Sequence, residues 1–246
     1  MKFLDDIKTA NDVVKKIKEN QNKILAGIGA IALMFGLFYG YSYYKRYKEE
    51  RAHRSFVAAL EYFNAPVKKD GETPAEDLSF LDKKEFKTET EKWEKVESVF
   101  KQGYENNSGS GIASMFLTYR SEALLKLGKF LEAIESLQLG ISKMKNEKVK
   151  SYFKVKLALM LIDTKDKNMV DEGLQILKNI SLDENNISHD LALYQIGQYY
   201  WNSKNFEEAK NYWNQLLLKY GKTEKRPSPW VEIAKERLKL IDPSVE

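Results

Sequence analysis

The side chains that most often perform acid–base chemistry or bind metals are scarce in this sequence. Histidine occurs only as His53 and His189, and cysteine is absent, which excludes thiolate nucleophiles, thiolate metal sites and disulfides. Ser188, His189 and Asp190 are consecutive, and consecutive side chains at a helix start point in different directions, so they do not form a catalytic triad. We expect Ser188 to cap the following helix and Asp190 to interact favourably with its dipole.

Carboxylates and glycines also lack the spacing of a catalytic or metal-binding motif. Pairs such as Glu207-Glu208 fit a solvated helix face, and neither a His-Glu-x-x-His sequence nor a calcium loop occurs. Gly109 and Gly111 are not followed by the Lys-Ser/Thr of a phosphate loop, and no strand pattern precedes them, so we expect a turn. The sequence therefore predicts a protein that is not an enzyme and has no metal or cofactor.

The longest apolar stretch covers residues 24–43 and contains neither a charged residue nor a proline. At about 1.5 Å per residue, a helix of this length matches a bilayer core of about 30 Å. Tyrosines at its end, followed by Lys45-Arg46, suit a membrane interface. The alternative, a buried core helix, seldom runs this long without a charge. We expect an uncleaved transmembrane helix, with anchor residues Ile24, Leu33, Phe35 and Tyr43.

Basic residues concentrate around this stretch. Residues 1–54 contain 11 Lys/Arg and 6 Asp/Glu, out of 40 and 36 in the whole chain. Anionic lipid favours such a distribution, and the near-neutral remainder argues against nucleic acid as a partner. Six basic residues before the span and five after it do not decide its orientation. Residues 1–23 predict a short amphipathic segment, with a loosely ordered leader as the alternative.

Beyond residue 44 the sequence predicts helices joined by short turns, and no convincing strand. Helical patterns cover 49–64 and 87–104, and the polar segment 65–84 between them, which contains Pro66, Gly71 and Pro74, is a loop insert. Further helices are expected near residues 112–127, 130–144, 148–163, 168–180, 189–202, 205–219 and 229–241. The last of them is a capping helix, because the end of a helical stack needs a partner for its apolar face.

Two segments carry the same residue types at an offset of 76 residues. Ser121 and Ala133 in the first correspond to Gly197 and Ala209 in the second, and small residues let two helices cross closely while large neighbours fill the groove. This is the tetratricopeptide repeat pattern. A degenerate copy lies between the two, and the pair 49–64 and 87–104 makes a fourth. We therefore predict an all-α chain, in which one transmembrane helix precedes an α-solenoid of three to four degenerate repeats over residues 44–246.

The order of basic segment, single span and degenerate repeats resembles the YfgM-like family. The best-matching pieces are IKENQNKILAGIGAIALMFGLFYGYSYYKRYKEERA, MKNEKVKSYFKVKLALMLI and the repeat from Leu193 to Trp213. The loop insert and the Lys- and Tyr-rich repeats depart from the family pattern. The resemblance implies a bacterial inner-membrane protein with its N-terminus in the cytoplasm and its repeats in the periplasm. Its partners would be Sec translocon subunits, a periplasmic chaperone and exported chains.

A binding surface is the remaining candidate for a functional site. In a tetratricopeptide stack, residues of the first helix of each repeat that point away from the second helix line the concave face. We expect a protein-binding groove formed by Thr118, Glu122, Val155, Tyr194, Gln198 and Trp201. Leu125, Leu159 and Ile162 share this register, with a role as core residues as the alternative. The sequence thus predicts a membrane-tethered interaction adaptor in protein export, and the alternative is a scaffold of another envelope, secretion or division complex.

Overall fold

The computed structural model describes residues 20–68, 84–221 and 228–241, together with Lys15 and Lys18, and every structural statement below concerns these residues. Most of the expected N-terminal segment and most of the 65–84 loop lie outside them. The described residues form these helices: α1 (Gln21–Phe63), α2 (Glu89–Asn107), α3 (Ala113–Lys126), α4 (Phe130–Lys143), α5 (Glu147–Asp163), α6 (Lys167–Leu182), α7 (His189–Asn202), α8 (Phe206–Tyr220) and α9 (Trp230–Ile241).

The chain divides into two compact units, Met1–Arg51 and Ala52–Glu246. The first unit contains most of α1, which runs unbroken through the two stretches expected as separate helices, because residues 44–48 include neither glycine nor proline. Ile24 lies within this helix, and Leu33, Phe35 and Tyr43 are exposed on it. Within the described residues, α1 is the helix that is long and apolar enough to cross a membrane.

In the second unit, α3 to α8 form three successive pairs: α3 with α4, α5 with α6, and α7 with α8. Each pair packs within itself and against the next, and the buried residues form clusters that link neighbouring pairs. In one cluster Leu137 of α4 packs with Leu161 of α5, and in the next Leu177 of α6 packs with Ile196 of α7. This arrangement confirms the all-α class and the repeat architecture.

Each pair turns at a residue in the left-handed conformation. The φ angles are 73° at Gly128, 60° at Lys165 and 60° at Lys204. These residues follow α3, α5 and α7, where a positive φ ends a helix and reverses the chain. Glycine adopts this conformation without steric cost, whereas the two lysines do not. The common turn therefore gives an internal reference position for comparing the three repeats.

The end of α1 packs with α2 and α3 through aromatic rings. Phe56 meets Phe100 and Phe116 edge to face at centroid distances of 5.8 and 5.3 Å, and Phe63 meets Trp93 at 5.4 Å. Beyond α1, the amide of Lys68 donates to the carbonyl of Phe86 over 3.0 Å, which brings the two ends of the loop insert together. Ala52–Phe63 and α2 therefore pack against the first repeat.

Helix α9 packs on the last repeat. Val231, Ala234 and Leu238 are buried in one cluster with Trp213 and Leu216 of α8. The ring of Trp230 stacks on Tyr194 of α7 at 5.0 Å. Because a terminal repeat has no following repeat to bury its apolar face, α9 supplies that cover.

Candidate functional site

An apolar groove crosses the first helices of the three repeats. Its first section, of about 290 Å³, lies between α3 and α5 and is lined by Phe63, Met115, Thr118, Tyr119, Glu122, Tyr152, Phe153 and Lys156. Its second section, of about 450 Å³, lies between α5 and α7 and is lined by Lys148, Val149, Tyr152, Ile187, Ser188, Asp190, Leu191, Pro229 and Trp230. Tyr152 belongs to both sections, which makes it the centre of what we call the concave groove.

One repeat position supplies the apolar lining on all three helices. Met115, Tyr152 and Leu191 each stand 13 residues before the left-handed turn residue of their repeat. Tyr152 is 56% exposed, and Val149 one turn earlier is 40% exposed, although both side chains have mainly apolar surface. Exposed tyrosine combines apolar area with a hydroxyl, which suits contact with another protein.

The charges in the groove are largely balanced. Glu122 of α3 and Lys156 of α5 form an ion pair within the first section, with both side chains about one third exposed. The second section is lined by one lysine, Lys148, and one carboxylate, Asp190. A ligand of either sign would therefore gain little net Coulomb attraction, and contact with apolar side chains is the main interaction that the groove offers.

Three of the residues expected to line the groove are mostly covered by their neighbours. Thr118 is 5% exposed and donates its hydroxyl to the carbonyl of Met115 over 2.9 Å. Val155 is 1% exposed, and Tyr194 is 9% exposed because its ring lies against Trp213 and Trp230. Thr118 still borders the first section of the groove. All three stand ten residues before the left-handed turn residue of their repeat, which is one helical turn further along the helix than Tyr152 and its equivalents.

The other three expected residues are partly accessible and do not form one cluster. Glu122 lies in the first section of the groove, whereas Gln198 and Trp201 lie towards the far end of α7. Gln198 donates to Asn202 over 2.9 Å along the helix. The ring of Trp201 packs against Phe206, Trp213 and the guanidinium of Arg237 at 5.2 to 5.8 Å. Helix α9 therefore covers part of the surface of α7 that the repeat pattern alone predicts to be exposed.

The exposed residues missed in the sequence are Tyr152 and Val149, which stand one turn and two turns before the expected Val155. Tyr152 and Val149 lie in α5, whose lysines interrupt the apolar pattern, so the accessible face was not distinguishable from the buried one. The sequence equates Gly128 with Lys204 through the 76-residue offset, which aligns Met115 with Leu191. The equivalent turn residue of the middle repeat, Lys165, is identified only by its positive φ, and counting back from it reaches Tyr152.

The expected side-chain cap by Ser188 is wrong. Ser188 precedes α7, but its φ and ψ of −102° and 14° are not the extended conformation that aims a cap oxygen at the first amides, and it makes no capping hydrogen bond. Instead its own amide donates to Asn186 over 2.9 Å. His189 is buried, with its Nδ1 2.9 Å from the hydroxyl of Tyr220, so it joins α7 to α8 within the core.

Glu184, in the segment before α7, forms an ion pair with Lys219 at the surface. A hydrogen bond from Lys219, supported by its charge, lowers the pKa of the Glu184 carboxyl below its ordinary value of 4.5. Their side chains are 2.7 Å apart. In the part of the chain that the structure describes, no three His, Asp or Glu side chains come together in a way that could hold a metal ion.

The paired helices, their left-handed turns and their small–large crossings define an α-solenoid of the tetratricopeptide type. The chain belongs to the tetratricopeptide repeat-like domain family, whose model matches residues 17–239. No curated protein and no solved structure matches the chain. Membership implies a protein-interaction role and therefore protein partners, because domains of this class are typically interaction modules.

Proposed function

We propose that this protein is a non-catalytic, membrane-tethered adaptor that binds protein segments in its concave groove. Its partners are Sec translocon subunits, exported chains and a periplasmic chaperone to which those chains pass. The observation that carries the binding role is the apolar groove lining at one position of successive repeats, where Tyr152 is exposed and Met115 and Leu191 are half-buried. The association with protein export is supported by the resemblance to the YfgM-like family over the whole chain.

The tether in this proposal is α1, which crosses the bacterial inner membrane at residues 24–43. Its length and apolar composition support the span, and the resemblance supports an N-terminus in the cytoplasm with repeats in the periplasm. A tether limits the search for a membrane partner to the membrane surface, which raises the effective concentration of each protein for the other. Weak groove contacts are then sufficient for selective binding.

The balanced charges favour a ligand recognised by its apolar side chains. Because Glu122 and Lys156 already pair with each other, a charged ligand would have to compete with that ion pair. An exported chain that is still unfolded exposes the leucine and aromatic side chains that the groove accepts. We propose Glu122, Gln198 and Trp201 as peripheral contacts, and Thr118, Val155 and Tyr194 as the layer that supports the groove from beneath.

Co-purification of the full chain in mild detergent tests this function. Wild type and Leu240→Ala, which changes an exposed leucine outside the groove, should both retain translocon subunits or a periplasmic chaperone. Tyr152→Asp should lose at least about 90% of them, since it places a charge at the centre of an apolar contact. Recovery of division or secretion components instead would favour the scaffold alternative. Equal recovery with Tyr152→Asp would exclude the groove as the binding site.

Protease protection in sealed inner-membrane vesicles tests the orientation. We expect the repeats to be protected in inverted vesicles and digested in spheroplasts. Digestion in inverted vesicles would place the repeats in the cytoplasm and would contradict the link with a periplasmic chaperone.

A further inference from the structure

The two sections of the concave groove are separate hollows with one shared side chain. The first lies between α3 and α5 and the second between α5 and α7, and Tyr152 of α5 borders both. Neighbouring helices in proteins lie about 8–10 Å apart, and the ion pair of Glu122 with Lys156 joins α3 to α5. The two sections are one helix spacing apart, so a ligand that fills both must present two side chains on the order of 10 Å apart.

This separation corresponds to a definite spacing in the sequence of an extended ligand. In the polyproline II conformation, with three residues per turn and a rise of about 3.1 Å, residues i and i+3 share a face and are about 9 Å apart. In a β-strand, residues i and i+2 share a face at about 7 Å and residues i and i+4 at about 13 Å. Polyproline II is also a major conformer of unfolded chains. The groove therefore suits an unfolded chain with apolar residues three positions apart.

The two sections differ in size, which assigns a different side chain to each. The first section has a volume of about 290 Å³ and is bordered by Met115 and Phe153. The second has a volume of about 450 Å³ and is bordered by the rings of Tyr152 and Trp230. Aromatic rings attract one another edge to face or offset, beyond the gain from burial. We therefore assign an aliphatic side chain to the first section and an aromatic one to the second.

Two charged side chains of the second section are available to a ligand. Lys148 borders it from α5 and Asp190 from α7, and neither forms an ion pair with another residue that the structure describes. A ligand that crosses the groove from the first section passes α5 with residues i+1 and i+2, and it passes α7 with residue i+4. Complementary charges are therefore a carboxylate between the two apolar residues and a basic group after the second, which leaves the ligand neutral overall.

We propose that the concave groove recognises a five-residue pattern in an extended chain, counted from the first section to the second. The pattern is an aliphatic residue at i, an acidic residue at i+1 or i+2, an aromatic residue at i+3 and a basic residue at i+4. This inference rests on the proposed function, because it states which segments of an unfolded chain the groove binds.

Fluorescence anisotropy with labelled peptides of identical composition tests the spacing, using the full chain in lipid nanodiscs and empty nanodiscs as background. The peptides place leucine and phenylalanine two, three, four or seven residues apart, in both chain directions. The spacing of three should bind at least about tenfold more tightly than the others. Equal affinities would overturn the inference. Tightest binding at seven residues would also overturn it, since that spacing spans about 10.5 Å in an α-helix.

A charge exchange tests the polar part of the pattern. Wild type should prefer the peptide with glutamate between the two apolar residues and lysine after the second by at least about threefold over the peptide with these charges exchanged. Lys148→Glu/Asp190→Lys should reverse that preference. Glu232→Lys/Lys235→Glu, which exchanges an ion pair of α9 that does not line the groove, is the matched control and should leave it unchanged. The same preference in all three proteins would contradict the assigned charges.

Tyr152→Asp separates failure of this pattern from failure of the proposed function. It should weaken binding of every peptide, because Tyr152 borders both sections. If all spacings bind wild type equally and Tyr152→Asp abolishes the binding, the groove binds proteins without this pattern, and only the present inference fails. If no peptide binds, or if binding survives Tyr152→Asp, binding of protein segments in the groove fails as well.

Discussion

The indole of Trp213 lies directly against the backbone of Gly197. A Cβ atom at Gly197 would stand 2.3 Å from the Nε1 of Trp213, and that nitrogen donates to the carbonyl of Tyr194 over 3.2 Å. The equivalent crossing in the first repeat pairs Ser121 with Leu137, and there the serine hydroxyl donates to the carbonyl of Ala133 over 2.7 Å. The two repeats therefore use the same small–large crossing with different side chains.

We predict that Gly197→Ala destabilises the protein by about 1–3 kcal/mol, the range typical of overpacked cores. The indole is fully buried and hydrogen-bonded, so it cannot move aside without losing contacts. Alanine is otherwise the better helix former, so a loss of stability on substitution would come from the clash with the indole. The measurement is chemical denaturation followed by circular dichroism.

Two further variants isolate that clash. Gly109→Ala is the matched control, because nothing lies within 4 Å of its added Cβ, and it should change the free energy of unfolding little. In a Trp213→Leu background, Gly197→Ala should become neutral or stabilising, as the Ser121–Leu137 crossing of the first repeat indicates. If it costs the same in both backgrounds, contact with the indole is not the cause.

The positive φ of Lys204 predicts a substitution that increases stability. Lys204→Gly should stabilise the protein by up to about 1 kcal/mol, because relief of the positive-φ strain exceeds the added flexibility of the unfolded chain. Lys101→Gly, at an exposed position within α2, is the control and should destabilise by about 1 kcal/mol. Thermal denaturation compares the two, and a loss of stability in both would contradict a strained turn at Lys204.

Stability should depend on pH through Glu184. Its pKa is lowered in the folded protein by Lys219, so its contribution is present above pH 4.5 and is lost as the pH falls through the lower folded value. The difference in melting temperature between wild type and Glu184→Gln should therefore shrink on acidification below pH 4.5. Added salt should reduce it at neutral pH, because the pair is exposed. A difference that does not vary with pH would exclude the ion pair as its source.

Membrane attachment should depend on the apolar face of α1. Leu33→Lys/Phe35→Lys should release the protein from membranes on alkaline extraction, since each lysine near the bilayer centre costs about 2.5–3.5 kcal/mol. Leu33→Ala/Phe35→Ala should stay attached and serves as the control. Retention of the lysine variant would indicate that residues 24–43 do not cross the bilayer.

The sequence by itself determined the elements and their order. A helix needs only apolar residues at a period of 3.6 and breakers at its ends, and both are local properties. The 76-residue offset that relates Ser121 to Gly197 was enough to predict the repeat, because close helix crossings require small residues at fixed places. The charge-free length of residues 24–43 predicted a membrane span, whose insertion remains a prediction.

Only the tertiary structure decided which side of each first helix is accessible. Thr118, Val155 and Tyr194 share the register expected for a groove, yet their neighbours cover them, and Tyr152 is exposed instead. Helix α9 contributes by stacking Trp230 on Tyr194. Burial of a side chain depends on the crossing angle and bulk of helices that are distant in sequence, so no local pattern specifies it.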